Sequence, residues 1–176
     1  MEAERELMKQ VAAGDEAAFT RLVERYAPRL LAVARRLLGS RADAEDAVQR
    51  ALLQCYLGAA RYQSRWAVST WLYRILVNAC VDELRRRAAR PATDPVDERP
   101  VAAPAEGSAG AGDLDVRRAL ARVPREARVL LALRYVDGLS YGELARIRGI
   151  SVNTVKSQLA RGKTILREVL AGGGLP

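Results

Sequence analysis

The sequence predicts an all-α protein: two small helical domains joined by a flexible linker, the second carrying a helix-turn-helix. Three observations predict this. Apolar residues recur at three-and-four spacing through most of the 176 residues. No stretch alternates with period two for long enough to be a convincing strand. Between Ala88 and Gly112 the helical pattern stops. That segment holds Pro91, Pro95, Pro100 and Pro104, three glycines (Gly107, Gly110 and Gly112), and no Leu, Ile or aromatic residue. Such a composition cannot bury enough apolar surface to offset its ordering entropy. The domains are therefore expected at residues 1–87 and 113–176, with 88–112 as a Pro/Ala/Gly-rich acidic linker.

Each helix has its own signals. Asp15 is placed to cap a helix carrying Phe19, Leu22, Val23, Tyr26, Leu30, Leu31, Ala34 and Leu37 on one face, with Pro28 as a point of kinking. Ser40 with Asp43 resembles a capping box for the next helix, which aligns Ala44, Ala47, Val48, Ala51, Leu52 and Cys55. Residues 58–69 read as a connection. Ser69 or Thr70 then caps a long helix to about Arg87, with Leu72, Ile75, Leu76, Ala79 and Leu84 inward. After the linker come a short helix over 114–122, Pro124 at a helix start, and a helix to about Val136. Asp137-Gly138 is a turn, and Ser140-Tyr141-Gly142-Glu143 opens a short helix to about Arg148. Gly149-Ile150-Ser151 makes a tight turn with Ser151 as the next N-cap. The last helix carries Val155, Leu159, Ile165, Leu166 and Val169 on one side. Its other side is expected to show Asn153, Thr154, Lys156, Ser157, Gln158, Arg161 and Lys163.

Composition narrows the chemistry. The chain carries 29 basic and 21 acidic residues, net +8. Residues 1–87 hold 15 and 11 of these, 88–112 hold 2 and 4, and 113–176 hold 12 and 6. Two basic ends around an acidic middle suit two surfaces that meet a polyanion, although charge alone also fits a soluble Arg-rich protein. Histidine is absent, which excludes histidine-based acid–base or triad catalysis. Cys55 and Cys80 are the only cysteines, so no zinc set is available, and two thiols in a cytosolic chain are expected as buried apolar residues. No run of eighteen apolar residues suggests a membrane span, and Met1 to Glu6 alternates in charge without the apolar stretch of a signal peptide. The expected location is the cytoplasm, with no metal and no cofactor.

Three constellations carry function. Two short helices joined by a Gly-containing turn form a DNA-reading unit whose second helix enters the major groove. Spacing alone fits an ordinary helical hairpin equally well. The lack of any acidic residue from Ser151 to Arg167 favours DNA, because a solvated face usually mixes signs. The second constellation crowds Tyr62, Trp66, Trp71 and Tyr73 into twelve residues, interleaved with Arg61, Arg65 and Arg74. Rings beside basic side chains suit stacking on unpaired bases. Trp71, next to inward Leu72, is expected in the core; Tyr62 and Trp66 are the better base contacts. The third is Asp43, Glu45, Asp46 and Gln49 on one helix, an acidic protein-contact face or a plain solvated one. Magnesium-dependent cleavage by its carboxylates is the remaining reading, but helical spacing spreads them around the axis.

These blocks together resemble a known family. Asp43-Ala44-Glu45-Asp46-Ala47-Val48-Gln49, Thr70-Trp71-Leu72-Tyr73-Arg74-Ile75, Asn78 and Asp82-Glu83-Leu84-Arg85-Arg86 resemble region 2 of the extracytoplasmic-function (ECF) sigma factors, in the sigma-70 family. Gly138-Leu139-Ser140-Tyr141-Gly142-Glu143-Leu144-Ala145, Gly149-Ile150-Ser151 and Thr154-Val155-Lys156-Ser157 resemble their region 4. The resemblance implies a non-enzymatic factor that binds core RNA polymerase and directs promoter-specific initiation. Asp46 and Gln49 would meet the clamp helices of the beta-prime subunit. Tyr62, Gln63, Ser64 and Arg65 would capture a flipped base of the −10 element, with Arg74, Asn78 and Asp82 on the helix that reads it. Asn153, Thr154, Lys156, Ser157, Gln158 and Arg161 would face the −35 duplex, the second domain would dock on the beta flap, and the linker would thread the polymerase cleft. Members of the family are often held inactive by an anti-sigma protein, and no motif here identifies one. Arg50 stands where Glu is usual, Leu52 where Phe is common, Tyr62-Gln63-Ser64 where Phe-Arg-Gly is usual, and Gln158 and Ala160 where Arg and a bulkier residue are usual. The alternative is a stand-alone helix-turn-helix regulator of duplex DNA, which leaves the aromatic-basic loop and the acidic helix without a role.

Overall fold

In a computed structural model, which describes residues 2–63, 65–89 and 111–172, every long element is a helix and no strand occurs among the described residues. The order is α1 (Glu2–Ala12), α2 (Glu16–Leu38), α3 (Arg41–Gly58), a 3-10 turn at Ala59–Arg61, α4 (Val68–Ala89), α5 (Ala111–Arg122), α6 (Arg125–Val136), α7 (Tyr141–Arg148) and α8 (Val152–Ala171). The all-α expectation is thereby met. The side chains of 111–115 and 117 are not described, and most of the expected linker, residues 90–110, lies outside the described residues along with Ser64.

Local chemistry sets the boundaries. Asp15 accepts a hydrogen bond from the Ala18 amide at 3.0 Å and starts α2. Pro28 sits within α2, which continues through it. A proline removes one ladder donor, but Tyr26 and Leu30 on either side are both buried and tie the two halves to the same core. Ser40 caps α3 by accepting from the Asp43 amide at 3.3 Å. Helix α4 begins at Val68, so Ser69 and Thr70 lie in its first turn and neither is its cap; the Trp71 amide bonds the Ala67 carbonyl instead. Helices α4 and α5 each extend two residues into the span expected as linker, to Ala89 and from Ala111.

The first unit buries Leu22, Leu30, Val33, Leu72, Leu76 and Cys80 between α2, α3 and α4. Helix α1, for which the sequence analysis drew no element, inserts Met8 and Val11 into this core. The second unit packs α8 across α5, α6 and α7 through Val155 and Leu159. Gly162 lets α8 approach α6: a Cβ there would stand 3.0 Å from Leu131 Cδ1 and 3.1 Å from Ala127 Cβ. The units also touch each other, α2 against α6 and α4 against α7, and their buried residues form one continuous cluster. Across this junction the Arg29 guanidinium meets the Asp137 carboxylate at 3.6 Å.

Candidate nucleic-acid interface

The helix-turn-helix is built by three local devices. Ser140 and Glu143 close a capping box at the start of α7. Gly149 takes the left-handed conformation, φ +66°, and ends α7 with its amide bonded to the Ala145 carbonyl. Ser151 then accepts from the Thr154 amide at 3.0 Å and opens α8. Arg148 pairs with Glu126 and ties α7 to α6.

The exposed residues of α8 include Asn153, Lys156, Ser157, Ala160, Arg161 and Thr164, with Arg167 and Glu168 further along. They recur every three or four residues, so they form one stripe along the helix. Two other expected contacts lie off that stripe. The Thr154 hydroxyl is 2.9 Å from Ser151 Oγ within the cap. Gln158 is half-buried, and its side-chain carbonyl oxygen is enclosed with no hydrogen-bond partner. Lys163 turns toward Tyr135, its ammonium 5.6 Å from the ring centre. The ring lies close enough to raise the lysine pKa by hydrogen bonding and charge. Val152 adds an exposed apolar residue at the first turn of α8.

In the first unit, the loop between the 3-10 turn and α4 has an internal scaffold. The Tyr62 ring packs on Trp71 with centroids 5.4 Å apart, and its hydroxyl donates to the Trp66 carbonyl at 2.5 Å. Burial pushes the Tyr62 pKa up. Tyr62 therefore shapes the loop from within. Trp71 is half-buried against the core, and Tyr73 is fully buried. Trp66 is half-buried as well but is not packed on the core, and the Arg65 and Arg74 guanidinium carbons lie over its ring, 5.7 and 5.8 Å from the centroid. Gln63 and Arg65 are exposed beside it, and Ser64 lies outside the described residues. Arg74, Asn78 and Asp82 follow at four-residue spacing on the exposed face of α4, with Asp82 3.5 Å from Arg85.

The acidic helix separates into two faces. Asp46 and Gln49 are exposed, and the same strip continues through exposed Leu53 and Leu57, a pair with i, i+4 apolar spacing that the sequence analysis passed over. Asp43 pairs with Arg87 and Glu45 with Arg41, so two of the three carboxylates considered for magnesium are held by arginines. Among the described residues no group of three His, Cys, Asp or Glu side chains is placed to hold a metal ion. Arg50 reaches Glu83 of α4 at 3.0 Å, and its Nε donates to the Asp46 backbone carbonyl at 3.4 Å. The two cysteines are buried as free thiols, and desolvation raises both pKa values to about 12. Among the described residues no helix is long and apolar enough to cross a membrane.

Comparison with known proteins agrees with this arrangement. The Sigma-70 region 2 family matches residues 22–90, and the Sigma-70, region 4 family matches residues 113–166. The chain is 39% identical over 165 residues to the ECF RNA polymerase sigma factor SigM of Mycobacterium tuberculosis, covering 94% of this chain and 83% of that protein. It is 32% identical over 174 residues to the ECF RNA polymerase sigma-E factor of Escherichia coli K12, covering 89% and 88%. Among solved structures, CnrH in complex with the cytosolic domain of CnrY shares the fold at TM-score 0.74 and 24% identity, over 98% of this chain and 99% of that one. The sigma factor RpoE, bound to the anti-sigma factor NepR of Bartonella quintana, aligns at TM-score 0.69 and 25% identity, over 87% and 96%.

Proposed function

Because the chain belongs to the extracytoplasmic-function sigma factors of the sigma-70 family and directs transcription to promoters through regions 2 and 4, we propose a division of that task among its own residues. Residues 1–87 bind core polymerase and the melted −10 element, residues 88–112 connect, and residues 113–176 bind the −35 duplex. The reading is of a factor acting in the cytoplasm, where its template and polymerase are, with no chemistry of its own. RNA synthesis belongs to the core enzyme.

The observation that carries this division is the loop at Trp66. A half-buried indole with two guanidiniums over its ring, on a loop braced by Tyr62 and Trp71, supports base stacking and phosphate contact together when those arginines turn to phosphate. Duplex DNA has no free base face to stack there; a flipped base has one. Extrusion costs a few kcal/mol, and stacking offsets about 1–3 kcal/mol of it. Gln63 and Arg65 beside the ring, with Ser64, supply hydrogen bonds to the base edge, while Arg74, Asn78 and Asp82 carry the contact along α4. On α8, Lys156 and Arg161 meet phosphate or guanine, and Asn153 and Ser157 reach base edges. Thr154 and Gln158 act through the cap and the core. Asp46 and Gln49, extended by Leu53 and Leu57, form the polymerase face, opposite in charge to the DNA faces. The beta-prime clamp helices are its proposed partner there, the beta flap that of the second unit, and an anti-sigma protein a regulator of the kind RpoE of Bartonella quintana binds.

Base capture is tested with 2-aminopurine placed at each −10 position of a promoter fragment. With core polymerase and the factor, one position should brighten as its base unstacks, and Trp66→Ala should cut that signal fivefold or more, about 1 kcal/mol of lost stacking. An unchanged signal in the variant contradicts the assignment.

A further inference from the structure

We propose that helix α1 positions the base-capture loop: Glu4 anchors the helix to α2 and Arg5 holds Tyr62, which makes Arg5 a positioning residue for −10 recognition. The inference rests on the reading of the loop from Tyr62 to Trp66 as the site of base capture. Helix α1 (Glu2–Ala12) precedes both matched family regions, which begin at residues 22 and 113. It is nonetheless built into the first unit. Met8 and Val11 are buried in the core, and Glu4 continues their stripe at i, i+4, i+7 spacing. The Glu4 carboxylate, its side chain only 17% exposed, accepts from the Tyr26 hydroxyl at 2.7 Å and meets Arg25 at 3.1 Å, both on α2. A mostly buried carboxylate with two such partners fixes the rotation of α1 against α2.

That rotation decides where Arg5 goes. Consecutive helical residues point about 100° apart, so Glu4 facing α2 turns Arg5 toward a different neighbour. The neighbour is the 3-10 turn at Ala59–Arg61, along which α1 packs, and the loop that leaves it at Tyr62. Arg5 is half-buried, and its guanidinium interacts with the Tyr62 hydroxyl. Burial pushes the Tyr62 pKa up, and Arg5 opposes that rise. A phenol has one hydrogen to donate and lone pairs that accept. Tyr62 gives its hydrogen to the Trp66 carbonyl at 2.5 Å, which leaves the lone pairs of its oxygen for Arg5. The two contacts polarise each other: a cation on the oxygen makes the O–H a stronger donor. The ring of the same tyrosine packs on Trp71. Contacts therefore run from Arg25 and Tyr26 through Glu4 and Arg5 to Tyr62 and the indole on which the base stacks. Without Arg5 the tyrosine keeps its ring contact but its bond to Trp66 weakens. The fraction of factor with a competent loop falls, and apparent capture falls by that fraction.

Amide hydrogen exchange in the full free chain tests this, paired with 2-aminopurine capture in the presence of core polymerase. The Tyr62 and Trp66 amides are bonded to the Ala59 and Gln63 carbonyls, so both report opening of the loop. Arg5→Ala should speed their exchange and dim the captured position, each by about threefold or more, the scale of one lost hydrogen bond. Anisotropy on a −35 duplex should not change, and Arg5→Lys should recover most of both signals. Because Arg5 acts through Tyr62, adding Arg5→Ala to Tyr62→Phe should cost nothing beyond Tyr62→Phe alone. Glu4→Gln loosens the anchor while keeping its shape, and gives the same two readouts where the alanine chain fails to fold by circular dichroism. Unchanged exchange, or losses that add to those of Tyr62→Phe, overturn the proposal. Lower capture with unchanged exchange and a smaller salt slope would make Arg5 a phosphate contact, and overturns it as well. If no position brightens even with the wild-type factor, base capture itself fails, while exchange in the free chain still decides whether α1 holds the loop.

Discussion

Lys156 and Arg161 share the exposed stripe of α8, and Gln158 does not. Each single replacement, Lys156→Ala or Arg161→Ala, should weaken duplex binding and lower the salt slope by about 1, as expected for a lost phosphate contact. A guanine contact would instead relax specificity at one base pair. Gln158→Ala should leave DNA affinity unchanged, and salt-dependent fluorescence anisotropy separates the outcomes. Polar identity in the sequence could not make this distinction. Gln158 is one of several polar residues in that stretch, but one residue of helical phase carries it off the stripe and beside buried Leu159. The cysteines were legible as buried residues. Their thiols are held protonated until pH approaches 12, against about 8.5 in an unfolded chain. Because the folded pKa is raised, this contribution to stability is whole below about pH 8.5 and falls as pH rises toward 12. A thiol reagent at pH 8 should leave native Cys55 and Cys80 unmodified and label both in urea; rapid native labelling would contradict the burial.

Among the elements, α8 owes its position to Gly162 more than to any capping residue. Alanine favours a helix by about 1 kcal/mol over glycine, yet Gly162→Ala places a methyl 3.0 Å from Leu131 Cδ1. Overpacking should win, lowering stability by about 1–3 kcal/mol in thermal melts and weakening −35 binding with it. A stabilised variant would show that α6 yields freely. The helices of the second unit, with their Ser140 and Ser151 caps, were readable because caps and turns are local. Helix α1 was not, since Leu7, Met8 and Val11 make too short an apolar pattern against their charged neighbours. The role of Gly162 was hidden for another reason: a glycine inside a helix carries no signal until its neighbour on another helix is known. Arg50 illustrates the same limit. In sequence it reverses a charge on the proposed polymerase face; in the fold it answers Glu83 from α4. Arg50→Glu should cost about 1–3 kcal/mol by setting two carboxylates together. Glu83 also meets Arg86 and Arg87, so the loss is read with Arg50→Glu alone in denaturant titration, and no loss would contradict the pairing.

At the scale of the molecule, two domains with a break between them followed from composition, because proline, glycine and missing apolar residues mark where no core can form. That the two units pack on each other did not follow. A linker's composition describes the linker, and the faces that dock, around Tyr73, Arg29 and Asp137, read in sequence as ordinary helix and turn residues. The residues of the candidate site were marked in sequence by type, in the acid-free α8 segment and the aromatic-basic loop, whereas the packing of Tyr62 on Trp71 and of two arginines over Trp66 depends on the fold and could not be read there. The most direct measurement is run-off transcription by purified bacterial core polymerase from a genomic promoter library, with and without the chain. The account predicts new transcripts only when the chain is present, from templates sharing two spaced elements, and their loss with Trp66→Ala or with Lys156→Ala and Arg161→Ala combined. Duplex binding with no core-dependent transcript would contradict it.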